Sequence, residues 1–260
     1  ENQLQSSYSR RINRPGFRDL NPFFSFTDAR NIRTGNPDLD PEFTDSYELG
    51  WLHNFTSGNI YFGAYYRYTD QVVARVSRVE DDGITYSRPE NLSTENSFGF
   101  ELNGSKDLTD WWNINGNVNV FRAITDGEAY GQDLSADTYA MSARFNSKWD
   151  IPNLFEIQLN GFYRGPQQAP QGRRLAYYSF DLGATRDILN KNGTLALNVR
   201  DLFNTRVFRF EAFGDTFYQD TEFQWAVRQI TMSFTYRLNQ NKSRRGGRGR
   251  GDYDGGGTEF

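Results

Sequence analysis

The stretch WWNINGNVNVF, residues 111–121, alternates asparagine with apolar or small residues after two tryptophans. The polar positions are Asn113, Asn115, Asn117 and Asn119, and the residues between them are Ile114, Gly116, Val118 and Val120. Side chains two positions apart share a face only in a β-strand, so this alternation predicts a strand. One face of that strand is polar, the other is apolar, and the indoles mark one end.

The composition fits a protein built from such strands. Aromatic residues form 16% of the 260-residue chain, with 22 Phe and 15 Tyr, yet hydrophobic residues reach only 37% and the mean hydropathy is −0.77. A soluble core of this size draws more on Leu, Ile and Val, and a disordered chain is poor in aromatic residues. Strands with one polar face explain both features.

Several function classes are disfavoured by what the sequence lacks. Cysteine is absent, which excludes disulfides, thiolate metal sites and cysteine nucleophiles. No apolar run approaches the roughly 18 residues of a transmembrane helix. The net charge of −4 argues against nucleic acid as a partner, and we expect none.

Catalysis and metal binding have little support in the sequence. The one histidine, His53, lies mid-strand between Trp51 and Phe55, and no P-loop, GxSxG or HExxH motif is present. Two acidic groups contain hard-cation ligands, namely Asp38, Asp40 and Glu42, and Glu80, Asp81 and Asp82. Solvated acids in turns are the preferred interpretation of both groups. We therefore predict no enzyme, no catalytic residue, no metal site and no cofactor.

Alternation like that of 111–121 recurs along the chain and predicts about ten strands. Short and long connections follow each other in turn: the short ones are 57–58, 107–110, 150–153 and 190–193, and the long ones are 12–41, 81–92, 126–137, 165–173 and 205–222. Outer-membrane barrels have this pattern, with short periplasmic turns and long extracellular loops. A soluble Greek-key sandwich has no reason to show it.

The predicted fold is therefore all-β, a transmembrane antiparallel up-and-down β-barrel over residues 1–238. Trp112, Ile114, Val118 and Val120 are predicted to face lipid, with the asparagines facing a wet lumen and the tryptophans in aromatic girdles. The alternative is the half-exposed sheet of a soluble protein. The Arg/Gly-rich residues 239–260 resemble nucleic-acid-binding RGG segments, but following the last strand they are predicted to be a disordered periplasmic tail.

Three stretches resemble TonB-dependent outer-membrane receptors. TGNPDLDPEFTDSYELGW (34–51) resembles the point where an outer loop descends into a late barrel strand of that family. LNVRDLFNT (197–205) and RQITMSFTYRL (228–238) resemble its penultimate and closing strands. Two further stretches, YYRYTDQVVARV (65–76) and DDGITYSRPENLSTENSFGFELN (81–103), resemble the branch common in Bacteroidetes-type outer membranes.

This resemblance implies a barrel of about 22 strands with a plug in its lumen, energised by the TonB complex for the uptake of a scarce nutrient. The chain would supply the last ten or so strands, and since it opens directly on strand-like sequence we expect a fragment. The implied partners are outer-membrane lipid, an N-terminal plug, the remaining barrel strands, the TonB complex through the N-terminal part, and a surface lipoprotein. The alternatives are a structural or scaffolding barrel and a self-contained ten-stranded outer-membrane enzyme.

Two groups of residues are candidates for contact with substrate or plug. In the long loop 13–40, aromatic rings beside hydrogen-bonding groups suit a ligand vestibule, and the predicted contacts are Phe23, Phe24, Phe26, Arg30 and Arg33. Packing of the loop is the competing explanation for these phenylalanines. The predicted lumen-facing residues, the arginines among them bracing a plug by ion pairs, are Arg67, Asn117, Arg122, Arg164 and Arg200.

Overall fold

The fold is that of a computed structural model, which describes residues 1–28, 30–80, 83–214 and 217–238. The predicted tail, 239–260, lies outside these described residues. In chain order the elements are β1 (Asn2–Asn13), α1 (Phe17–Leu20), β2 (Ser25–Asp28), β3 (Asn31–Arg33), β4 (Glu42–Phe55), β5 (Gly58–Asp70), β6 (Val73–Val79), β7 (Thr85–Asn91), β8 (Thr94–Thr109), β9 (Trp112–Asp126), β10 (Glu128–Ala129), β11 (Gln132–Asp133), β12 (Ala136–Ile151), β13 (Phe155–Arg164), β14 (Gln167–Ala169), β15 (Gly172–Arg174), β16 (Tyr177–Ile188), β17 (Gly193–Arg200), β18 (Phe208–Gly214), β19 (Phe217–Phe223) and β20 (Gln229–Tyr236). None of the helices in these ranges is long and apolar enough to cross a membrane.

Ten long strands form one antiparallel sheet, in the order β1-β4-β5-β8-β9-β12-β13-β16-β17-β20. Each strand pairs with the next long strand along the chain, which is the predicted up-and-down arrangement. The longest strands have 16 residues, enough to cross the hydrocarbon of a bilayer at a tilt. The sheet is open, because β1 pairs only with β4 and β20 only with β17.

The two faces of the sheet differ as the alternation predicts. Directly opposite residues in an antiparallel pair share a face, so the register shows which side chains lie together. Val118 lies between Leu102 and Ala143, whereas Asn117 lies between Asn103 and Arg144. We call the first side the apolar face and the second the polar face.

The long connections are not plain loops, because most of them fold into small sheets of their own. At the end of the sheet opposite the short turns, the strands pair in the orders β2-β3-β7-β6, β10-β11 and β14-β15-β18-β19. The connection predicted at 205–222 covers 201–228, because β17 ends at Arg200 and β20 begins at Gln229, and a larger boundary error concerns β5. The sequence extends the strand that is β5 to about residue 80, but β5 ends at Asp70 and Gln71 takes a left-handed φ of 58°. The connection therefore covers 71–93.

The buried apolar cluster of the described chain lies among these loops. Val76, Leu92 and Leu134 are 2%, 1% and 2% exposed, and Val72, Ala74 and Ala129 pack against them. The barrel wall has no comparable core, because a single sheet has no second layer to cover it. Connections 71–93 and 127–135 are thus held together by hydrophobic burial.

Deletion of residues 241–260 is expected to leave assembly of the barrel unchanged. The last sheet strand, β20, ends at Tyr236, and beyond Leu238 the period-two alternation gives way to Arg/Gly repeats. The amount of heat-resistant barrel in outer-membrane fractions checks this for the full-length protein with and without the tail. A clear loss of assembled barrel would show that the tail contributes to the fold.

Candidate functional site

A cavity of about 750 Å³ opens among the long connections, and we call it the loop pocket. Its lining comes from three connections that are far apart in sequence: Pro22, Phe24, Thr34, Gly35, Pro37, Val76, Arg78, Glu80, Tyr86, Arg88 and Tyr130. The lining combines aromatic rings with charged groups. This mixture of apolar surface and a few directed polar groups is typical of small-molecule sites.

One carboxylate joins the three connections beside the loop pocket. Glu90 accepts hydrogen bonds from Arg88 Nε at 2.6 Å and from the Tyr130 hydroxyl through one oxygen, and from Asn36 Nδ2 at 3.0 Å through the other. Asn36 is 4% exposed and also donates to the Pro89 carbonyl. We call Asn36, Arg88, Glu90 and Tyr130 the Glu90 cluster. These hydrogen bonds, most of them partly buried, link the three connections to one another.

The cluster is built to keep Glu90 ionised. Burial raises the pKa of this carboxyl, but the hydrogen bonds from Arg88 and Tyr130 and the nearby arginine charges outweigh burial, so the pKa lies below its ordinary value. Burial and the hydrogen bond to Glu90 raise the pKa of the Tyr130 phenol. The phenol therefore stays protonated and remains a donor at neutral pH.

Two arginines of the loop pocket remain accessible to a ligand. Arg78 stacks over the Tyr130 ring at 4.6 Å from the centroid and pairs with Glu80 at 2.7 Å. The side chains of Arg78 and Arg88 are 47% and 41% exposed. Each guanidinium has more N–H groups than its carboxylate partner uses, so both have donors for an acceptor on a ligand.

The five predicted substrate contacts do not form one site. Phe24 lines the loop pocket, and Arg33 lines a second cavity of about 510 Å³. Phe23 and Phe26 are 79% and 68% exposed and line neither cavity. Arg30 is also exposed and lines neither, although its carbonyl accepts a hydrogen bond from Thr85. Sequence reasoning missed Arg78, Arg88 and Tyr130, which lie in other connections.

The second cavity lies where two small sheets meet, and a side-chain amide joins them. Gln171 is 9% exposed; its Oε1 accepts from the Ser77 N–H at 2.6 Å and its Nε2 donates to the Ser77 carbonyl at 2.9 Å. This pair copies the hydrogen bonds of a neighbouring strand, across 94 residues of sequence. The loops on both sides of the cavity are therefore linked.

Four of the five residues predicted to face the lumen lie on the polar face of the sheet. Arg67 pairs with Glu48 at 3.3 Å and stacks over Tyr65, and Asn117 donates to Glu101 at 3.0 Å. Arg164 stacks over Phe162, and Arg200 lies opposite Gln229. Whether these side chains contact a plug stays a prediction.

The prediction for Arg122 is wrong. Its register partners are Phe98 and Tyr139, so it lies on the apolar face, two positions along the strand from Val120. Arg122 Nε donates to Asp137 at 2.8 Å, and the guanidinium lies over the Tyr139 ring at 5.1 Å. It is part of a row of residues that lie opposite one another in six neighbouring strands: Tyr8, Tyr47, Tyr66, Phe98, Arg122 and Tyr139. We call this the aromatic row.

The acidic groups considered as cation ligands do not form a site in the described part of the chain. No group of three or more His, Cys, Asp or Glu side chains is close enough to hold a metal ion there. Asp81 and Asp82 lie outside the described residues.

The Glu90 cluster is expected to loosen as the pH falls below 4.5. Because the folded state lowers the pKa of Glu90 from 4.5, its stabilisation is fully present above that value and is lost as the pH falls through the lower, folded-state pKa. The chain has no cysteine, so spin labels at Asp38→Cys and Glu128→Cys report the distance between two loops. We expect the distribution of this distance to broaden in acid.

Glu90→Gln provides the control for this titration, because it removes the charge and retains the shape. The variant should show no broadening between neutral pH and acid. The same broadening in the variant and the unsubstituted protein would assign the change to other groups.

The chain matches one family model in sequence and several outer-membrane proteins in fold. The model of the outer membrane protein β-barrel family matches residues 1–236. The ferric enterobactin receptor PfeA from Pseudomonas aeruginosa superposes with a TM-score of 0.59 at 17% identity, over 90% of this chain and 38% of that chain. The ferric yersiniabactin uptake receptor FyuA from Yersinia pestis gives a TM-score of 0.59 at 15% identity, over 90% and 34% of the two chains.

A third solved structure adds a different cargo to the comparison. The copper transporter OprC gives a TM-score of 0.55 at 15% identity, over 90% of this chain and 36% of that chain. Among curated proteins, none matches the sequence significantly. The chain thus spans a little over a third of the length of these structures, and at such low identity the likeness shows the fold alone.

Proposed function

The chain belongs to the outer membrane protein β-barrel family, and from that premise we propose that it is the C-terminal barrel portion of a TonB-dependent receptor. The receptor binds a scarce nutrient in its outer loops and transports it through a plugged barrel when the inner membrane is energised. The long connections are extracellular, and the short turns and residues 239–260 are periplasmic.

One observation carries this proposal: an ordered pocket stands at the long-loop end of an outer-membrane sheet. The loop pocket is held by the Glu90 cluster and by the buried contacts of Val76, Leu92 and Leu134. A pore that only lets solutes diffuse needs no preformed site above its wall. A receptor does, because preorganised loops lower the entropy lost on binding.

The lining of the loop pocket suggests the class of ligand. Phe24, Tyr86 and Tyr130 offer rings to a flat apolar group, and Arg78 and Arg88 offer donors to anionic oxygens. A compact amphipathic ligand with an aromatic part and acceptor oxygens satisfies both. The surface lipoprotein partner and the Bacteroidetes-like branch stay predictions.

Uptake by the full-length protein is expected to depend on the proton-motive force. The probes are radiolabelled iron bound to enterobactin, radiolabelled iron bound to yersiniabactin, and copper, since these are the cargoes of the similar structures. In cells that lack other receptors, we expect an uncoupler to abolish uptake of the probe that the protein accepts. Uptake that is indifferent to the uncoupler would show a passive pore and contradict the proposal.

A matched pair of arginine variants connects this uptake to the loop pocket. Arg78→Ala removes an exposed donor of the pocket and should reduce uptake. Arg209→Ala breaks a similar exposed ion pair, 2.9 Å from Glu222 on the β18–β19 hairpin and outside the pocket, and should not. Equal effects of both would exclude the loop pocket as the binding site.

A further inference from the structure

The apolar face contains a groove with two glycines at its floor. Gly104 and Gly116 lie opposite each other on β8 and β9, and in the same row Ile60 and Phe145 flank them on β5 and β12. The cavity has a volume of about 490 Å³. A Cβ on Gly104 would meet only the Asn59 carbonyl oxygen, at 3.9 Å. The groove is therefore open above Gly104, between the side chains of Ile60 and Phe145 in the same row.

A cation stands at one end of this groove. Lys106 lies one row nearer the short turns than Gly104, and it is exposed on the same face. Its Nζ lies 5.6 Å from the centroid of the Phe55 ring. Within the described ranges of the chain, no carboxylate lies within salt-bridge distance of this ammonium group. An apolar channel that ends at an unneutralised cation is complementary to a molecule with a hydrocarbon chain and an anionic head.

The position of Lys106 matches the depth of a lipid headgroup. In the next row toward the short turns, the Trp112 and Trp149 rings stack with centroids 6.2 Å apart. Indoles on the outside of barrels sit at the membrane–water interface. A lysine one row above them can extend its ammonium to the interface while its methylenes lie along apolar surface.

We propose that this groove binds an anionic phospholipid, with one acyl chain over Gly104 and Gly116 and its phosphate at Lys106. The lipid belongs to the leaflet at the short-turn end, which is the periplasmic leaflet in outer-membrane barrels. The groove makes this lipid a fixed partner of the barrel wall rather than one of many exchanging neighbours. This inference needs the outer-membrane location of the chain but not the proposed uptake function.

The sheet also supplies a matched cation without a groove. Arg186 is exposed on the apolar face near the short turns, and its guanidinium carbon lies 5.1 Å from the Phe155 ring centroid, as Lys106 lies over Phe55. The nearby Gly193 offers no space, because a Cβ there would meet Ile188 and Leu189 at 3.1 and 3.2 Å and Phe234 at 3.2 Å. Arg186 therefore tests whether a surface cation alone is enough.

The test is native mass spectrometry of the full-length protein, delipidated and then titrated with phosphatidylglycerol or phosphatidylcholine. We expect one phosphatidylglycerol to be retained in preference to phosphatidylcholine. Lys106→Gln should weaken phosphatidylglycerol binding about fivefold, which corresponds to about 1 kcal/mol for one basic side chain near anionic lipid. Arg186→Gln should leave it unchanged.

Filling the groove separates the acyl site from the charge. Gly104→Val should weaken binding of both lipids, and Gly104→Ala, whose methyl group fits the free space, should do so less. Heat-modifiable migration on gels shows that each variant is folded.

Four results would overturn the proposal. They are equal retention of the two lipids, unchanged binding in Lys106→Gln, an equal loss in Arg186→Gln, and displacement of the lipid by inorganic phosphate alone.

Discussion

Residues 1–238 on their own are expected to yield no heat-resistant, protease-protected barrel when refolded in detergent. The ten-stranded sheet has two free edges, because β1 and β20 each pair on one side only. On β20, a strand of eight residues, about half of the backbone N–H and C=O groups point away from β17. In hydrocarbon each such group costs several kcal/mol.

The long connections cannot cover these edges, because they lie beyond one end of the sheet. The full-length protein, treated in the same way, is the control, and it should give the heat-resistant species. The measurement is migration of boiled and unboiled samples together with protease protection. A stable barrel from 1–238 alone would revive the self-contained enzyme and the structural barrel as explanations of this chain.

Val118→Arg is expected to destabilise the folded barrel in lipid vesicles by about 2–4 kcal/mol, the penalty measured for Arg on the lipid face near the bilayer midplane. Val118 lies between Leu102 and Ala143 on the apolar face. No carboxylate lies opposite it in either neighbouring strand to pair with the new guanidinium. Phe100→Arg, on the same face, should have a similar effect.

Asn117→Arg is the matched control, since it changes the neighbouring residue in the same strand. Its side chain lies on the polar face, where the Glu101 carboxylate already accepts a hydrogen bond from Asn117. The new guanidinium would be hydrated and could donate to the Glu101 carboxylate, so the loss of folding stability should be much smaller than for Val118→Arg. Chemical denaturation in vesicles measures the free energy of unfolding of Val118→Arg, Phe100→Arg and Asn117→Arg. Equal losses on both faces would contradict the assignment of the faces.

The barrel strands were predictable from sequence because their signal is local. Asn113 to Val120 alternate, and the alternation alone determines which side chains share a face. The same rule would have placed Arg122 with Val120, and the prediction failed because it followed the charge of the residue instead of its position. An ion pair with Asp137, from the next strand of the sheet, is what makes an arginine tolerable on the apolar face.

The site was less predictable, because the contacts that build it join distant parts of the chain. Asn36 meets Glu90 across 54 residues, and Tyr130 meets Glu90 across 40. The local sequence pattern of each loop does not indicate these contacts. The sequence predicts that the connection after β5 begins only at residue 81, which leaves Val76 and Arg78 in the barrel wall, whereas in the structure β6 belongs to the connection and lines the loop pocket.

The aromatic row crosses the bilayer obliquely. Neighbouring strands are about 4.8 Å apart and barrel strands tilt by about 40° from the membrane normal, so a row perpendicular to the strands changes depth by about 3 Å at each strand. From Tyr8 to Tyr139 the five steps add up to about 15 Å, which is half of a hydrocarbon layer about 30 Å thick. The two ends of the row therefore lie at different depths in the bilayer. The membrane surface therefore meets each strand of this sheet at a different register, and residues that are level in the hydrogen-bonded ladder are not level in the membrane.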